Sequence, residues 1–372
     1  MFHTLFYNIK FFGLIIASLV SLGIIITIHE LGHFCFAKLF GVRTPSFSIG
    51  MGGPVIFSKQ IGDTLFKINA IPLGGYLEIA GQAEIGQGDQ KDAHATDAGS
   101  FAVKSYWQKL LIMSGGVLFN FLAAFLVFIG LFWAGMPKTI FFGGETVTPI
   151  VSTVAESGTA HDIKLQTDDI ITTINDIPTP SVTSLIEQLK QNAGNPVTLT
   201  VKRADQVLTF NPTLEKTGLL GIAFKIDGTL PRESFLHATK QAFYAMGSLT
   251  KYLIHIFSTI FTKRAINNLG SPLMFISSFI SSEGQGISFL LFLLAFFSLN
   301  LFILNLIPLP ITDGGQLVIL TIETIIRRPL PEKFIYWLHL ITWGLILLLT
   351  AYLLIKDSIV LFWPKIKSII GK

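Results

Sequence analysis

Four long runs of the chain carry no Asp, Glu, Lys or Arg: Phe11 to Ile28, Leu110 to Pro137, Gly284 to Thr312 and Phe334 to Ile355. Each is about long enough to cross ~30 Å of hydrocarbon as a helix. The pattern predicts transmembrane helices within residues 1–39, 108–137, 284–326 and 334–356, with residues 357–372 as a tail. The first run has no basic start before its apolar core, and no small-residue cleavage site follows it. We therefore read it as a retained span rather than a cleaved leader. Residues 266–282 are uncharged and offer a fifth crossing.

Between the runs the periodicity changes. Residues 40–107 are polar, and their first part alternates as strands do, with Val55-Ile56-Phe57 and Leu65-Phe66-Lys67-Ile68-Asn69 flanking a Gly62-Asp63 turn. Residues 81–100 are rich in Gly, Gln, Asp and Ala and read as a mobile loop. Residues 145–215 hold short β-branched runs and one helical pattern, Ser181 to Gln191, which predict a small α+β domain inserted in a loop. Residues 231–282 open with an amphipathic helical pattern carrying Phe235, Ala238, Ala242, Phe243, Ala245, Met246 and Leu249. Such a helix lies on the membrane surface or on the protein itself. The fold class is thus a membrane α-helical protein of about four spans, with a membrane-associated β-region and an inserted α+β module.

Composition agrees. Of the 372 residues 51% are apolar and only 13% charged, against roughly a quarter charged in soluble domains. The single Cys35 excludes an intrachain disulfide. The net charge of +4 comes with no basic patch interleaved with aromatics, so nucleic acid is not an expected partner. The lipid bilayer is.

The chemistry concentrates at His29-Glu30-Leu31-Gly32-His33, at the end of the first apolar run. Helix positions four apart share a face, so both imidazoles can reach one ion. Neutral imidazole nitrogens suit Zn²⁺, and Glu30 stands where it can take a proton from metal-bound water. A polar or charged side chain in a span costs at least ~2.5–3.5 kcal/mol. Three within five residues need a compensating partner, which a dication supplies. A proton or ion pathway would also use such residues, but it predicts an inverted repeat, and the two halves show none.

Two histidines leave a catalytic zinc one protein ligand short. Asp313 is the candidate, in Asn305-Leu-Ile-Pro308-Leu-Pro310-Ile-Thr-Asp313-Gly314-Gly315. The two prolines break helical hydrogen bonds, and irregular backbone at membrane depth survives only beside a cavity or inside protein. A lone acid at a membrane edge would look the same, so the assignment rests on coupling to the His-Glu pair. His339 in the fourth run is the competitor. Asn120 and Asn305 are polar residues of the second and third runs. Each can orient a substrate backbone or an oxyanion, or join closely packed helices beside glycines such as Gly115 and Gly116.

These motifs resemble, in order and over nearly the whole chain, the bacterial RseP branch of the site-2 proteases (peptidase family M50). The residues concerned are His29 to His33, Pro72-Leu-Gly-Gly-Tyr76, Gly115-Gly-Val-Leu-Phe-Asn120-Phe and Asn305 to Gly315. The resemblance implies an intramembrane zinc endopeptidase with His29, His33 and Asp313 as ligands and Glu30 activating a zinc-bound water. It implies single-span substrates such as pre-trimmed anti-sigma factors or signal-peptide remnants, and a multi-pass place in the bacterial inner (cytoplasmic) membrane. Residues 55–79, with Gly74, Gly75 and Tyr76, would guide the substrate strand from the cytoplasmic side. The inserted module is similar to a single PDZ domain, through Leu165-Gln-Thr-Asp168-Asp169-Ile-Ile-Thr-Thr-Ile-Asn175. The resemblance would put it in the periplasm, although Lys356, Lys365, Lys367 and Lys372 run against that orientation.

Overall fold

The computed structural model describes residues 2–72, 74–82, 92–155, 158–258, 271, 273, 276 and 286–370. The chain divides into two compact units, Met1–Gly130 with Leu236–Lys372, and Leu131–Phe235.

In the first unit, helix α1 (Phe2–Leu39) carries the His-Glu cluster in its last turns. It stops where Gly41 takes a left-handed φ of 65° and the Val42 amide returns to the Ala37 carbonyl, a helix end that favours glycine. A four-stranded sheet follows, from β1 (Ser46–Ile49), β2 (Val55–Ile61), β3 (Thr64–Asn69) and β4 (Gly75–Glu78), in the order β2-β3-β1-β4. Its Phe47, Phe66 and Leu77 pack with Phe34, Ala37 and Val42 of the α1 end and with Ile112, so one apolar core fixes the sheet to two helices. On β2 every residue is exposed, Val55, Ile56, Phe57 and Ile61 included. The expected Gly62–Asp63 turn joins β2 to β3.

Helix α2 (Tyr106–Ala134) is the second long apolar element. Residues 83–91 of the expected mobile loop lie outside the described residues. Residues 92–100 are pinned rather than loose: Arg43 grips Asp97 through Nη1–Oδ1 at 2.5 Å and Nη2–Oδ2 at 2.9 Å, and Phe101 N donates to Ala80 O.

The second unit holds β5 (Val151–Val154), α3 (Thr159–Asp162), β6 (Ile170–Ile174), β7 (Ile177–Pro178), α4 (Val182–Gln191), β8 (Leu199–Arg203), β9 (Gln206–Phe210) and β10 (Ile222–Phe224). Sheet β7-β6-β8-β9 and the pair β10-β5 surround a core of Val151, Ile171, Ile174, Leu185, Leu199 and Leu220. Ser181 caps α4 in a reciprocal bond with Ser184. The unit is larger than the expected 145–215, because β10 closes on β5 and the bridge Pro137–Thr229 ties both flanks. Asp169 is buried and held by Arg203 through two contacts of 2.7 Å. Burial works to raise its pKa, but the guanidinium and the Gln166 amide hold it below the ordinary carboxylate range.

Back in the first unit, α5 (Phe235–Ser258) buries Ala238, Ala242, Ala245, Met246 and Leu249 against the protein. Phe235 and Phe243, expected in that apolar stripe, point outward. Of the proposed fifth crossing at 266–282, only Ser271, Leu273 and Ile276 fall within the described residues. The expected third span, 284–326, is two helices: α6 (Gly286–Leu306) and α7 (Asp313–Ile326). Pro308 and Pro310 supply no amide between them, and Thr312 starts α7 afresh by accepting from Gly315 N. The final helix α8 (Glu332–Ile370) absorbs the expected tail. Within the described residues four helices are long and apolar enough to span a membrane: Gly13–Leu39, Tyr106–Ala134, Gly286–Leu306 and Glu332–Ile359. Four matches the count read from the charge-free runs.

Candidate metal centre

His29 and His33 face one side of α1, both buried, their rings edge to face. Their Nε2 atoms lie 3.2 Å apart. The break between α6 and α7 brings Asp313 to them from far along the chain, with Oδ2 3.1 Å from His29 Nε2 and Oδ1 3.5 Å from His33 Nε2. Zinc bonds of ~2.0–2.1 Å define a tetrahedron with edges of about 3.3–3.4 Å. The Nε2–Nε2 separation of 3.2 Å lies close to that edge, and Asp313 turns one oxygen toward each imidazole, at 3.1 and 3.5 Å. Asp313 Oδ2 is buried and has no hydrogen-bond partner. Three electron-pair donors converging with no proton between them would repel each other, and a cation resolves the repulsion. Two imidazole nitrogens and one carboxylate oxygen, leaving a fourth position open, are a donor set that fits catalytic zinc. Among the described residues no other group of three His, Cys, Asp or Glu side chains meets this way.

The far nitrogens explain why Nε2 faces inward. His33 Nδ1 lies 2.8 Å from the Ile112 carbonyl, which can only accept, so Nδ1 carries the proton and Nε2 keeps its lone pair. His29 Nδ1 lies 3.0 Å from the Asn120 amide nitrogen, while Asn120 Oδ1 is buried without a partner. Turning that amide over pairs Oδ1 with Nδ1–H, satisfies the stranded oxygen and gives His29 the same tautomer as His33. Asn120 therefore sits, fully buried, behind a histidine rather than open to a substrate. Its own carbonyl accepts from Ser298 Oγ of α6 at 3.0 Å.

Ile112, Gly116 and Asn120 are four apart and form one stripe of α2 against the imidazoles. No side chain larger than hydrogen fits in the middle: a Cβ on Gly116 would lie 2.4 Å from His33 Nε2 and 2.6 Å from His29 Nε2. Gly32 and Gly115 likewise meet backbone to backbone.

Glu30 is half-buried beside the first histidine. Gly75 opens β4 against it, its Cβ position 3.8 Å from Glu30 Cγ and 2.9 Å from Ser48 O. Gly74, in a left-handed turn with φ 77°, accepts from Gly50 N. The Tyr76 hydroxyl accepts from Lys67 Nζ at 3.3 Å, on the sheet face opposite Gly75. The backbone carbonyl of Asn305 lies beside Gly314, 2.9 Å from where a Cβ would stand. His339 is no third donor: its Nε2 is 3.0 Å from Gln316 Nε2.

Sequence reasoning missed three contributors. The Ile112 carbonyl is backbone and leaves no signal in residue type. Gly116 was visible as half of a glycine pair, but only as a helix contact. Gln316, a polar residue one turn beyond Asp313, was a signal left unread.

The four apolar helices and this donor set define a membrane protein with a zinc-type hydrolase centre. The model of peptidase family M50 matches residues 17–349. A protein of Clostridium perfringens named as a zinc metalloprotease is 30% identical over 351 residues, covering 93% of this chain and 98% of its own length. A Campylobacter jejuni protein so named is 27% identical over 368 residues, 95% and 94% of the two chains. A Synechocystis one is 28% identical over 363 residues, 93% and 95%. The chain belongs to peptidase family M50, and it is an integral-membrane zinc metalloprotease.

Proposed function

We propose that this metalloprotease is an endopeptidase cutting single-span membrane proteins within the bilayer, with His29, His33 and Asp313 holding zinc and Glu30 as the base. One observation carries the reading: three convergent lone pairs at the end of a candidate span, flanked by a carboxylate and an open strand edge. Zinc, when bound, supplies a Lewis acid and makes water acidic enough to attack near neutral pH. Glu30 takes the proton of the attacking water and returns it to the leaving amine as the peptide bond breaks. Among the described residues β4 pairs with β1 alone, so its outer edge can take an extended substrate strand beside Glu30. That pairing would satisfy the backbone groups an unwound transmembrane helix exposes. The exposed apolar β2 supports reading residues 55–79 as membrane-associated. We read residues 145–215, within the 131–235 unit, as PDZ-like and periplasmic; among the described residues β10 pairs with β5 alone, which leaves an edge that a peptide could join. Pre-trimmed anti-sigma factors and signal-peptide remnants in the inner membrane are substrates of the fitting class.

The test uses the purified full chain in detergent with a model single-span substrate. Wild type should bind one zinc and cut. Glu30→Gln should keep the zinc and lose cleavage by at least ~10²-fold. Intact cleavage by Glu30→Gln would refute the assigned base.

A further inference from the structure

His339 is an imidazole in the last apolar helix, and the metal centre does not use it. Polar side chains in a span are costly and face a partner inside the protein. On α8 its neighbours Tyr336, Trp337, Leu340 and Ile341 are exposed, whereas His339 turns inward with Thr342. The partner is Gln316 of α7. The Gln316 Nε2 group lies 2.9 Å from the Pro310 carbonyl and 3.0 Å from His339 Nε2. A carbonyl can only accept, so one amide hydrogen goes to Pro310 and the other is left for His339. His339 Nε2 is the acceptor of that second hydrogen, Gln316 bridges it to Pro310, and the Pro310 carbonyl bears on the His339 ring directly as well.

Pro310 lies in the irregular stretch between α6 and α7, whose prolines supply no amides to brace it. The stretch's own backbone closes on itself at Leu309 N to Ile307 O (2.7 Å), Thr312 ties it through a hydroxyl that donates to Ile307 O at 2.6 Å, and the Gln316 amide is the side-chain contact that reaches the Pro310 carbonyl. Asp313 follows at once, and Gln316 is one helical turn beyond it. The carboxylate can meet two imidazoles at 3.1 and 3.5 Å only if this bend keeps its shape.

We propose that His339 is a positioning residue of the metal centre: together with Gln316 it fixes the Pro310 bend and hence the place of Asp313. The inference rests on the metal reading above and extends it to a residue on another span. Partners that orient metal ligands are worth roughly 10–100-fold in metal affinity. One step further out, His339 should be worth about 10-fold.

The experiment measures zinc affinity of the full-length protein in detergent by competition against a graded chelator, independent of any peptide. His339→Ala and Gln316→Leu should each weaken zinc about 10-fold. The double variant should be no weaker than the worse single, because both remove one linkage. His339→Gln should restore most of the loss, since its amide oxygen can accept in place of Nε2. Wild-type affinity in both His339→Ala and Gln316→Leu would overturn the proposal, and so would additive losses. A His339→Gln loss as deep as that of Asp313→Ala would overturn it too, by making His339 a direct ligand. Should wild type bind no zinc, the metal reading falls and this inference with it; zinc in wild type with unaffected variants sinks the linkage alone.

Discussion

Replacing Gly116 by alanine tests the site without touching any proposed ligand. The new methyl carbon would sit 2.4 Å from His33 Nε2 and 2.6 Å from His29 Nε2. Favourable contact begins near ~3.5 Å, so about 1 Å of retreat is required. Zinc–nitrogen bonds tolerate only ~0.2 Å. Retreat is not free, because each imidazole is anchored on α2 itself, at Ile112 O (2.8 Å) and Asn120 (3.0 Å). Those anchors stand four residues either side of Gly116. Drawing the rings back and moving α2 away therefore break the same two bonds. At about 1 kcal/mol net each, the cost is ~2 kcal/mol before any distortion at the metal. That corresponds to at least a ~30-fold loss of zinc affinity. Gly130→Ala is the control: it lies on the same helix, and its Cβ would meet nothing within 4 Å. Metal analysis after chelator competition reads both. Gly116→Ala holding one zinc per chain at wild-type affinity would refute the described packing of α2 on the imidazoles.

The other predictions follow from single contacts. Asn120→Ala removes the group behind His29 and should weaken zinc roughly 10–100-fold, with Asn120→Asp recovering affinity because a carboxylate accepts from Nδ1–H; equal affinity in the alanine variant would show that the amide does not orient the ring. In the 131–235 unit, Arg203→Leu leaves the buried Asp169 carboxylate with no counter-charge and only the Gln166 amide to satisfy it. It should cost that unit about 2 kcal/mol, seen as faster hydrogen exchange in β6 and β8 at neutral pH. The sign with pH is fixed by the lowered pKa of Asp169. Its contribution is complete above the unfolded value of ~3.9 and is lost as pH falls through the lower folded value, so the two proteins should converge in acid. A difference that persists at low pH would assign the effect to packing.

How legible all this was in the sequence depends on which physical term decides each feature. The four spans were legible because lipid imposes a length and forbids charge, and both are readable from composition along the chain. The strands at 55–61 and 64–69 were legible for a related reason, alternation around a Gly-Asp turn. The break at 307–312 was foreseen as a bend but drawn inside one helix, since two prolines do not say whether a helix kinks or stops; the Thr312 cap decides it. Asn120 was assigned to substrate because residue type cannot show which way an amide faces. The pinning of residues 92–100 depends on Arg43, some fifty residues earlier, and local composition carries no trace of it. The three side chains that converge, His29, His33 and Asp313, were readable from residue type and cost, whereas their supports are a carbonyl, a missing side chain and an amide on other helices.

Those supports share a physical origin. Inside a bilayer no hydrophobic force draws helices together, so close packing must come from backbones allowed to touch. Gly32 of α1 lies against the Gly115 carbonyl of α2, and a Cβ there would come within 2.1 Å of it. Gly314 and Gly315 lie against the Leu306 and Leu309 carbonyls, where a Cβ would come within 2.5 and 1.7 Å. The first contact sets α2 near enough for Ile112 and Asn120 to reach the imidazoles. The second folds α7 back on the broken end of α6, which carries Asp313 to them. Gly32 with Gly115, and Gly314 with Gly315, each fix one of the two approaches by which the donors meet, while Gly116 leaves room beside the imidazoles themselves. The HExxH pattern thus supplies two donors, and the glycine pairs at 115–116 and 314–315 determine whether those donors meet a third.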